Sequence, residues 1–315
     1  MVLSRAKPQA DGVPFFPQLT PIGLYYRELI THYNSKYEKP NSDLNFVSLW
    51  GYMYVKCEIA QLFDNLVVKL LDYHDQKPYF SFMGSNRIVD TVHTLIQYTQ
   101  ANKLEPYLRS IHEDIILHSE STELKNMFNI QRDPDYDDYV LDLATIPTLK
   151  GRRYSDRRRE IHTFKHHYPA HSFKTLDLKN IHIQNQMLEL FTLWEVQNSP
   201  KVNLMESEAF RRILSNQLEL QLDGFGLYVE DKLVGFMICE PIDSTYIMSH
   251  YAKSNYFYNF AYTMLVYMTA CYYAAKNYRS LNFQQDLGID GLRKYKHLWR
   301  PSFFVKKYII SPHEL

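Results

Sequence analysis

The chain has 315 residues, and its 35 Lys and Arg side chains balance 35 Asp and Glu side chains, so the formal net charge at pH 7 is zero. This balance argues against a protein that wraps nucleic acid through bulk positive charge, although it leaves room for a local basic patch. The length allows one large domain or two medium ones, and a hydrophobic fraction of 45% is enough for a full core.

The first part of the chain predicts alternating helices and strands. Leu24, Tyr25, Leu29 and Ile30 recur at helical spacing, which predicts a helix over residues 22–33. A second helix is expected over residues 85–99, with Ser85 as its N-cap, and a third around residues 119–128. Apolar runs predict strands, and residues 46–54 are expected to enter the first sheet. The further predicted strands are residues 54–59, 66–71, 79–83, 107–111 and 139–143.

Residues 133–138 form a short acidic segment that contains four aspartates. The segment lacks the glycine and the closing glutamate of a calcium-binding loop. We therefore expect a solvated loop rather than a metal site.

Residues 149–167 contain a run of basic side chains. Five arginines lie within eight positions, and Ser155 or Asp156 is expected to cap a helix that continues through Phe164. At 100° per residue, Arg157, Ile161 and Phe164 share one face of this helix. The arginines are Arg152, Arg153, Arg157, Arg158 and Arg159. A solvated helix face is the alternative interpretation of such a charge run.

The C-terminal half predicts a mostly antiparallel sheet with helices. Two helices, over residues 176–198 and 205–222, precede strands at 225–229, 232–240 and 244–250. Residues 254–275 carry no charge but contain six tyrosines, which predicts a buried helix packed on a sheet rather than a membrane span. Strands are then expected at residues 279–283 and 303–310.

Residues 281–301 hold the densest mixture of polar, charged and glycine residues. A strand end, a turn bracketed by Gly288 and Gly291, and a basic helix over residues 292–298 follow one another. This arrangement brings backbone N–H groups and cations to one point, which suits an anion or a phosphate. A solvated basic helix beside a strand is the alternative.

Two blocks of the sequence resemble the DUF2156 family, which is similar to the C-terminal domain of phosphatidylglycerol lysyltransferases. The last block follows the family pattern N-x-E-x-D-x-G-x-x-G-L-R-x-x-K, with Gln284 where an acid is common. Its matching residues are Asn282, Asp286, Gly288, Gly291, Leu292, Arg293, Lys296 and Pro301. An earlier block resembles D-Y-I/V-Y followed by L-x-G-x-x-Y/H/F-x-x-K-R-N, with Arg159 in place of the asparagine. There the matches are Asp138, Tyr139, Val140, Leu149, Gly151, Arg157 and Arg158.

The resemblance implies an α/β (α+β) fold of two tandem GNAT-like acyltransferase domains, each a mixed, mainly antiparallel sheet flanked by helices. We expect an N-terminal domain over residues 1–150 and a C-terminal domain over residues 151–315 that carries the main motif. The predicted element order of residues 176–310 is also the order of a GNAT domain, and residues 22–143 follow a weaker version of it.

The resemblance further implies acyl or aminoacyl transfer from an activated donor to an amine or hydroxyl acceptor. Asp286 is our candidate for binding the donor's α-amino group, although it could instead pair with Arg293 or cap the helix. His250 is our candidate base, with a satisfied core histidine as its alternative. The expected substrate-binding residues are Tyr139, Arg157, Arg158, Asn282, Gln284, Arg293 and Lys296.

The donor is expected to be a substrate rather than a bound cofactor. An acetyl-CoA enzyme uses a glycine-rich turn after its fourth strand, and residues 250–262 contain no glycine. This favours aminoacyl-tRNA, with tRNA as a partner and a small molecule, a peptide or a lipid headgroup as the acceptor. A CoA-dependent N-acyltransferase and a non-catalytic GNAT-like binding module are the alternatives.

The compartment is predicted from two features. Cys57, Cys239 and Cys271 form neither a metal motif nor a disulfide framework, which indicates a reducing compartment and no metal site. Because we find no secretory signal and no transmembrane segment in the sequence, we expect a cytoplasmic or membrane-peripheral protein.

Overall fold

The computed structural model describes residues 12–53, 57–118, 121–198 and 204–313, which divide into two compact units. The first unit comprises the described residues through Asp137 together with those from Val305 on, and the second comprises Asp138–Phe304. This division differs from the boundary predicted between residues 150 and 151. The chain joins the sheet of the second unit before residue 150, and the C-terminal end of the chain belongs to the sheet of the first unit.

The described residues form strands and α-helices in alternation. The strands are β1 (Thr20–Pro21), β2 (Glu58–Leu62), β3 (Asn65–Leu71), β4 (Pro78–Met83), β5 (Leu108–His112), β6 (Phe128–Arg132), β7 (Asp138–Asp142), β8 (His171–Leu176), β9 (Asp223–Val229), β10 (Lys232–Pro241), β11 (Tyr246–Ser254), β12 (Ser280–Asn282), β13 (Phe303–Val305) and β14 (Lys307–Pro312). The helices are α1 (Arg27–Asn34), α2 (Phe46–Met53), α3 (Ile88–Ala101), α4 (Glu113–Ile116), α5 (Ser121–Met127), α6 (Ser155–His167), α7 (Ile181–Asn198), α8 (Leu204–Ser215), α9 (Gln217–Leu220), α10 (Ala261–Ala275) and α11 (Asp290–Leu298).

Each unit contains a seven-stranded mixed sheet, and the two sheets repeat one pattern. In the first unit β2, β3 and β4 are antiparallel, α3 follows, and β5 pairs parallel to β4. In the second unit β9, β10 and β11 are antiparallel, α10 follows, and β12 pairs parallel to β11. The predicted fold class is thereby confirmed: both sheets are mixed, mainly antiparallel and flanked by helices.

One strand of each sheet comes from a distant part of the chain. The first sheet has the order β1-β2-β3-β4-β5-β14-β6, so the last strand of the chain lies between β5 and β6. The second sheet has the order β13-β7-β12-β11-β10-β9-β8, so β7 lies between β13 and β12. The two insertions explain the unit boundaries, because a strand belongs to the sheet whose hydrogen bonds it completes.

The core of the second unit lies between its sheet and α10. Leu265, Val266 and Ala270 of α10 are buried in one apolar cluster with Phe225 and Met237 of the sheet. Their burial confirms the prediction of an uncharged helix packed on a sheet. Among the described helices, none combines the length and the apolar character that crossing a bilayer requires.

The structure corrects two predicted strands. Residues 46–53 form helix α2, whose start is capped because Asn45 Oδ1 accepts hydrogen bonds from the N–H of Val47 and of Ser48. Nearly every side chain of α2 is buried, so its sequence shows neither a helical nor a strand period. The single strand predicted at residues 303–310 is two strands, β13 and β14, which belong to different sheets.

Neither predicted helix cap is present. Helix α3 begins after Arg87, which has a left-handed φ of 46° and makes no side-chain cap hydrogen bond. Helix α6 includes Ser155 and Asp156 in its first turn, and Tyr154 stands at the cap position. Neither helix therefore begins with the polar side-chain cap that the sequence predicts.

The acidic segment is not the solvated loop that we predicted. Asp133, Asp137 and Asp138 are all buried. Arg109 pairs with Asp133, Arg132 pairs with Asp137, and Asp138 accepts a hydrogen bond from an amide of its own unit. Because each buried carboxylate has a donor, the cost of removing it from water is offset.

Candidate functional site

Polar side chains of the second unit collect where two parallel strands separate. Strands β11 and β12 pair over three positions only, ending at Met248 opposite Asn282, while β11 continues to Ser254. The carboxyl ends of parallel strands at such a divergence are a common ligand-binding position. Gln284 and Asp286 follow β12 directly, so the predicted motif starts at this place.

Asn282 organises the end of β12. Its buried side-chain amide donates to Asp138 Oδ2 at 2.9 Å and to Tyr246 Oη at 3.0 Å. Its Oδ1 accepts a hydrogen bond of 2.7 Å from the backbone N–H of Gln284. Asn282 is fully buried. Its hydrogen bonds therefore hold neighbouring groups in position.

Asp286 is fully buried and surrounded by donors. It accepts hydrogen bonds from Arg293 Nε and Nη2, each at 2.8 Å, from the Gly288 N–H at 2.8 Å, and from the Tyr139 hydroxyl. Burial alone would raise the pKa of Asp286, but the hydrogen bonds from Arg293, Tyr139 and Gly288 hold it below its usual value. The pairing with Arg293 that we kept as the alternative is therefore present, and Asp286 also holds Tyr139.

Tyr139 and His297 join the same cluster. The Tyr139 hydroxyl, on β7, lies 3.2 Å from His297 Nε2 in addition to its bond to Asp286. Burial, followed by the hydrogen bond to the Asp286 carboxylate, raises the pKa of Tyr139, so its phenol stays protonated. Sequence reasoning did not nominate His297, although it lies four positions after Arg293 on α11 and thus on the same helix face.

The two predicted cations of α11 differ in their surroundings. Arg293 is fixed by Asp286 but keeps 35% of its side chain exposed. Lys296 is buried, and its Nζ donates to three consecutive carbonyl oxygens, those of Phe283, Gln284 and Gln285. Arg293 therefore faces solvent at the site, whereas Lys296 ties the loop after β12 to the helix.

Gln284 has an unusual backbone and an unpartnered amide. Its φ is 56°, a left-handed conformation that costs a residue with a side chain of this size some strain. Its Nε2 is buried and has no hydrogen-bond partner among the described residues. Strain and an unsatisfied donor at one residue are features of ligand sites.

His250 lies inside β11 and not at its end. In the pairing of β10 with β11, Ile238 faces Tyr251 and Cys239 faces Ser249, so His250 is the extra residue of a β-bulge. Its Nε2 lies 3.0 Å from Glu240 Oε2, which matches the satisfied histidine of our alternative.

Among the residues that the structure describes, no group of three or more His, Cys, Asp or Glu is arranged to hold a metal ion.

The two arginines of α6 are not equivalent. Arg157 is buried, donates to Thr263 Oγ1 and Glu160 Oε1, and lies over the rings of Tyr295 and Trp299. It thus supports the buried side of α11. Arg158 is exposed and donates to the carbonyl oxygens of Leu149 and Gly151, which closes the turn before α6. The exposed arginines of the run are Arg152, Arg153, Arg158 and Arg159.

The turn between β11 and α10 has its backbone donors occupied. The Tyr256 N–H donates to Gln197 Oε1 at 3.2 Å, and the Phe257 N–H donates to Asn255 Oδ1 at 3.0 Å. The N–H of Asn259 donates to the hydroxyl of Tyr168 at 3.3 Å. In this conformation these N–H groups do not form an open cradle for a pyrophosphate.

Comparisons with known proteins point to one family. The family described as phosphatidylglycerol lysyltransferase, C-terminal, matches residues 46–311. A conserved protein of unknown function from Bacteroides thetaiotaomicron is 25% identical, with a TM-score of 0.80 over 93% of this chain and 99% of its own. L-PGS from Bacillus licheniformis shares the fold at 13% identity, with a TM-score of 0.62 over 91% of this chain and 92% of its own. The C-terminal domain of a putative lysylphosphatidylglycerol synthetase from Agrobacterium fabrum does so at 11% identity, with a TM-score of 0.63 over 91% and 93%. No curated protein matches the sequence.

Proposed function

Since the chain belongs to the phosphatidylglycerol lysyltransferase C-terminal family, a family of acyl- or aminoacyltransferase type, we propose that it transfers an aminoacyl group from an activated donor to an amine or hydroxyl acceptor. The family match confirms the resemblance predicted from the two sequence blocks. The donor, the acceptor and the roles of individual residues are proposals.

The observation that carries this proposal is the unpartnered amide of Gln284. Acyl transfer passes through a tetrahedral intermediate whose oxygen carries negative charge, and fixed donors aimed at that oxygen lower the barrier. We assign this role to the Nε2 of Gln284, which is buried and has no hydrogen-bond partner among the described residues. Arg293, fixed and partly exposed, adds positive charge to the same cluster.

The other residues of the cluster have positioning roles in this proposal. Asp286 holds Arg293 and Tyr139 in place, and Asn282 fixes the backbone at Gln284. Lys296 restrains three carbonyl groups of the same loop. A site held by such contacts is preorganised, so little reorganisation is required when charge develops.

An imidazole is the proposed base. His250 is paired with Glu240 within the bulge of β11, and His297 is exposed beside Tyr139. Either ring can accept the proton that the acceptor loses as its nitrogen or oxygen attacks the carbonyl carbon. The bond from that carbon to the donor oxygen then breaks, and the donor leaves as a hydroxyl after taking up a proton.

We propose aminoacyl-tRNA as the donor. The occupied N–H groups between β11 and α10 favour it over acyl-CoA, because CoA enzymes use that turn to bind a pyrophosphate. The exposed Arg152, Arg153 and Arg159 offer charge for RNA phosphates. The acceptor is an amine or a hydroxyl of a small molecule, a peptide or a lipid headgroup.

The test supplies donors and acceptors as mixtures. Purified protein is incubated with isotope-labelled aminoacyl-tRNA, or with acyl-CoA, in the presence of a metabolite and lipid extract. Mass spectrometry then searches for products that carry the label. We expect labelled products from aminoacyl-tRNA. Products from acyl-CoA alone would select the CoA-dependent alternative, and binding without transfer from either donor would select a non-catalytic module.

A further inference from the structure

The loop between β11 and α10, residues 255–260, presents aromatic side chains to solvent. Phe257 is 79% exposed, Tyr256 is 53% exposed and Phe260 is 41% exposed. Large apolar side chains are usually exposed singly, so three within five positions form an unusual patch. We call this segment the aromatic loop.

The aromatic loop is held rigidly. Besides the N–H contacts of Tyr256, Phe257 and Asn259, the Tyr256 hydroxyl donates to Asn198 Oδ1 at 2.9 Å. The same hydroxyl accepts a hydrogen bond of 3.2 Å from Trp194 Nε1. Because α7 fixes the loop in this way, Phe257 and Phe260 are exposed by a defined conformation and lose little entropy when they bind a partner.

Basic side chains lie beside the loop, and the carboxylates of Glu195 and Glu206 lie near Lys253 of β11. The ring of Tyr168, which follows α6, lies 5.3 Å from the ring of Tyr258, so the end of α6 adjoins the loop. That end carries the exposed Lys165, His166 and His167. The sequence contains no Asp or Glu over residues 161–176 or 244–285. The carboxylate of Glu206 lies 2.8 Å from Lys253 Nζ, within an ion pair.

We propose that the aromatic loop and the C-terminal end of α6 form a surface that docks on an anionic lipid bilayer. Aromatic rings partition into the bilayer interface, and basic side chains beside them attract anionic headgroups. The patch offers few fixed cations, which favours a bilayer over a nucleic acid. The inference does not rest on the transferase activity.

The proposal is tested by co-sedimentation of the full chain with phosphatidylcholine vesicles, with and without phosphatidylserine. We expect binding to the anionic vesicles, weaker binding at high salt, and a loss of about tenfold or more in Phe257→Ser, because burial of this ring contributes the apolar part of the affinity. Phe260→Asn, which suits the left-handed backbone at φ 64°, should act in the same direction. Phe15→Ser is the matched control, because Phe15 is 76% exposed in the first unit.

A second readout reports insertion directly. Tryptophan fluorescence of Phe257→Trp should be quenched by brominated lipids beyond the quenching of the native tryptophans, and that of Phe15→Trp should not. Unchanged binding in Phe257→Ser, or an equal loss in Phe15→Ser, would overturn the proposal. So would binding of single-stranded RNA without binding of vesicles, or a Phe257→Ser protein that is monomeric where the natural chain is a dimer.

Discussion

Arg293 and Asp286 are joined by two parallel hydrogen bonds, from Nε to Oδ2 and from Nη2 to Oδ1, each 2.8 Å long. The carboxylate is fully buried while the guanidinium is partly exposed, so the pair links the interior of the second unit to its surface. This geometry fixes both groups in orientation as well as in distance. Asp286 therefore acts on the site through Arg293 and Tyr139.

Asp286→Asn should lower stability. The variant keeps the size of the side chain and one acceptor for the Gly288 N–H, but it loses the charge that pairs with Arg293 and turns an NH₂ group towards existing donors. We expect the free energy of unfolding to fall by about 2 kcal/mol, which urea denaturation measures. Unchanged stability would contradict the structural role assigned to the pair of Asp286 and Arg293.

The contribution of Asp286 should depend on pH. Because its pKa is lower in the folded than in the unfolded chain, its stabilisation is complete above the unfolded pKa of about 4 and is lost as pH falls through the folded pKa. The stability difference between the natural chain and Asp286→Asn should thus stay constant above about pH 5 and shrink below about pH 4. Urea denaturation at a series of pH values measures it, and a difference that grows on acidification would contradict the assigned direction.

Lys296→Met should destabilise the loop after β12. Three carbonyl groups, of Phe283, Gln284 and Gln285, lose a buried charged donor, so we expect a loss of about 3 kcal/mol. The matched control is Lys294→Met on the same helix, which is exposed and should change stability by less than about 0.5 kcal/mol. Equal effects of the two substitutions would show that Lys296 does not hold the loop.

In the first unit, the neighbours Lys307 and Lys306 offer a second matched pair. Lys307 is fully buried and lies 2.9 Å from the buried Asp43, whereas Lys306 is 43% exposed and pairs with Glu113 at 3.1 Å. Lys307→Met would leave a buried carboxylate without its cation, which costs about 3–5 kcal/mol. Lys306→Met should cost less than about 1 kcal/mol. Chemical denaturation distinguishes them, and similar losses would refute a buried pair that anchors β14.

The sequence predicts the repeated order of helices and strands well, but it does not predict to which sheet each strand belongs. The sequence predicts a single strand over residues 303–310, yet the chain changes sheets at Lys306, and long-range pairing decides which sheet each part joins. Strand β8 was missed because His171, Ser172 and Lys174 give an edge strand little apolar alternation. The strands that pair with these segments lie elsewhere in the chain, so no local sequence pattern reveals the pairing.

Within the site, the spacing of the motif residues predicted which side chains lie together, whereas the charge of the arginine run did not predict which of its side chains are exposed. The strand, turn and helix of the last motif do bring Asn282, Asp286 and Arg293 together, because these positions are close in the chain. Arg157 belongs to a charge run of the kind that is usually solvated, yet packing against aromatic rings buries it. Gln284 could be singled out only as a departure from the family pattern, since an unpartnered amide is a property of the folded chain.

The measurement that tests the central claim most directly is the aminoacyl-transfer rate of Gln284→Ala, with Gln131→Ala as its control. Gln131 is an exposed glutamine on β6 of the first unit, outside the cluster, and its loss should leave the transfer rate almost unchanged. If the Gln284 amide stabilises the developing oxyanion, Gln284→Ala should fold normally and lose about a hundredfold in kcat. A Gln284→Ala protein that transfers the aminoacyl group as fast as the natural chain would contradict the proposed site.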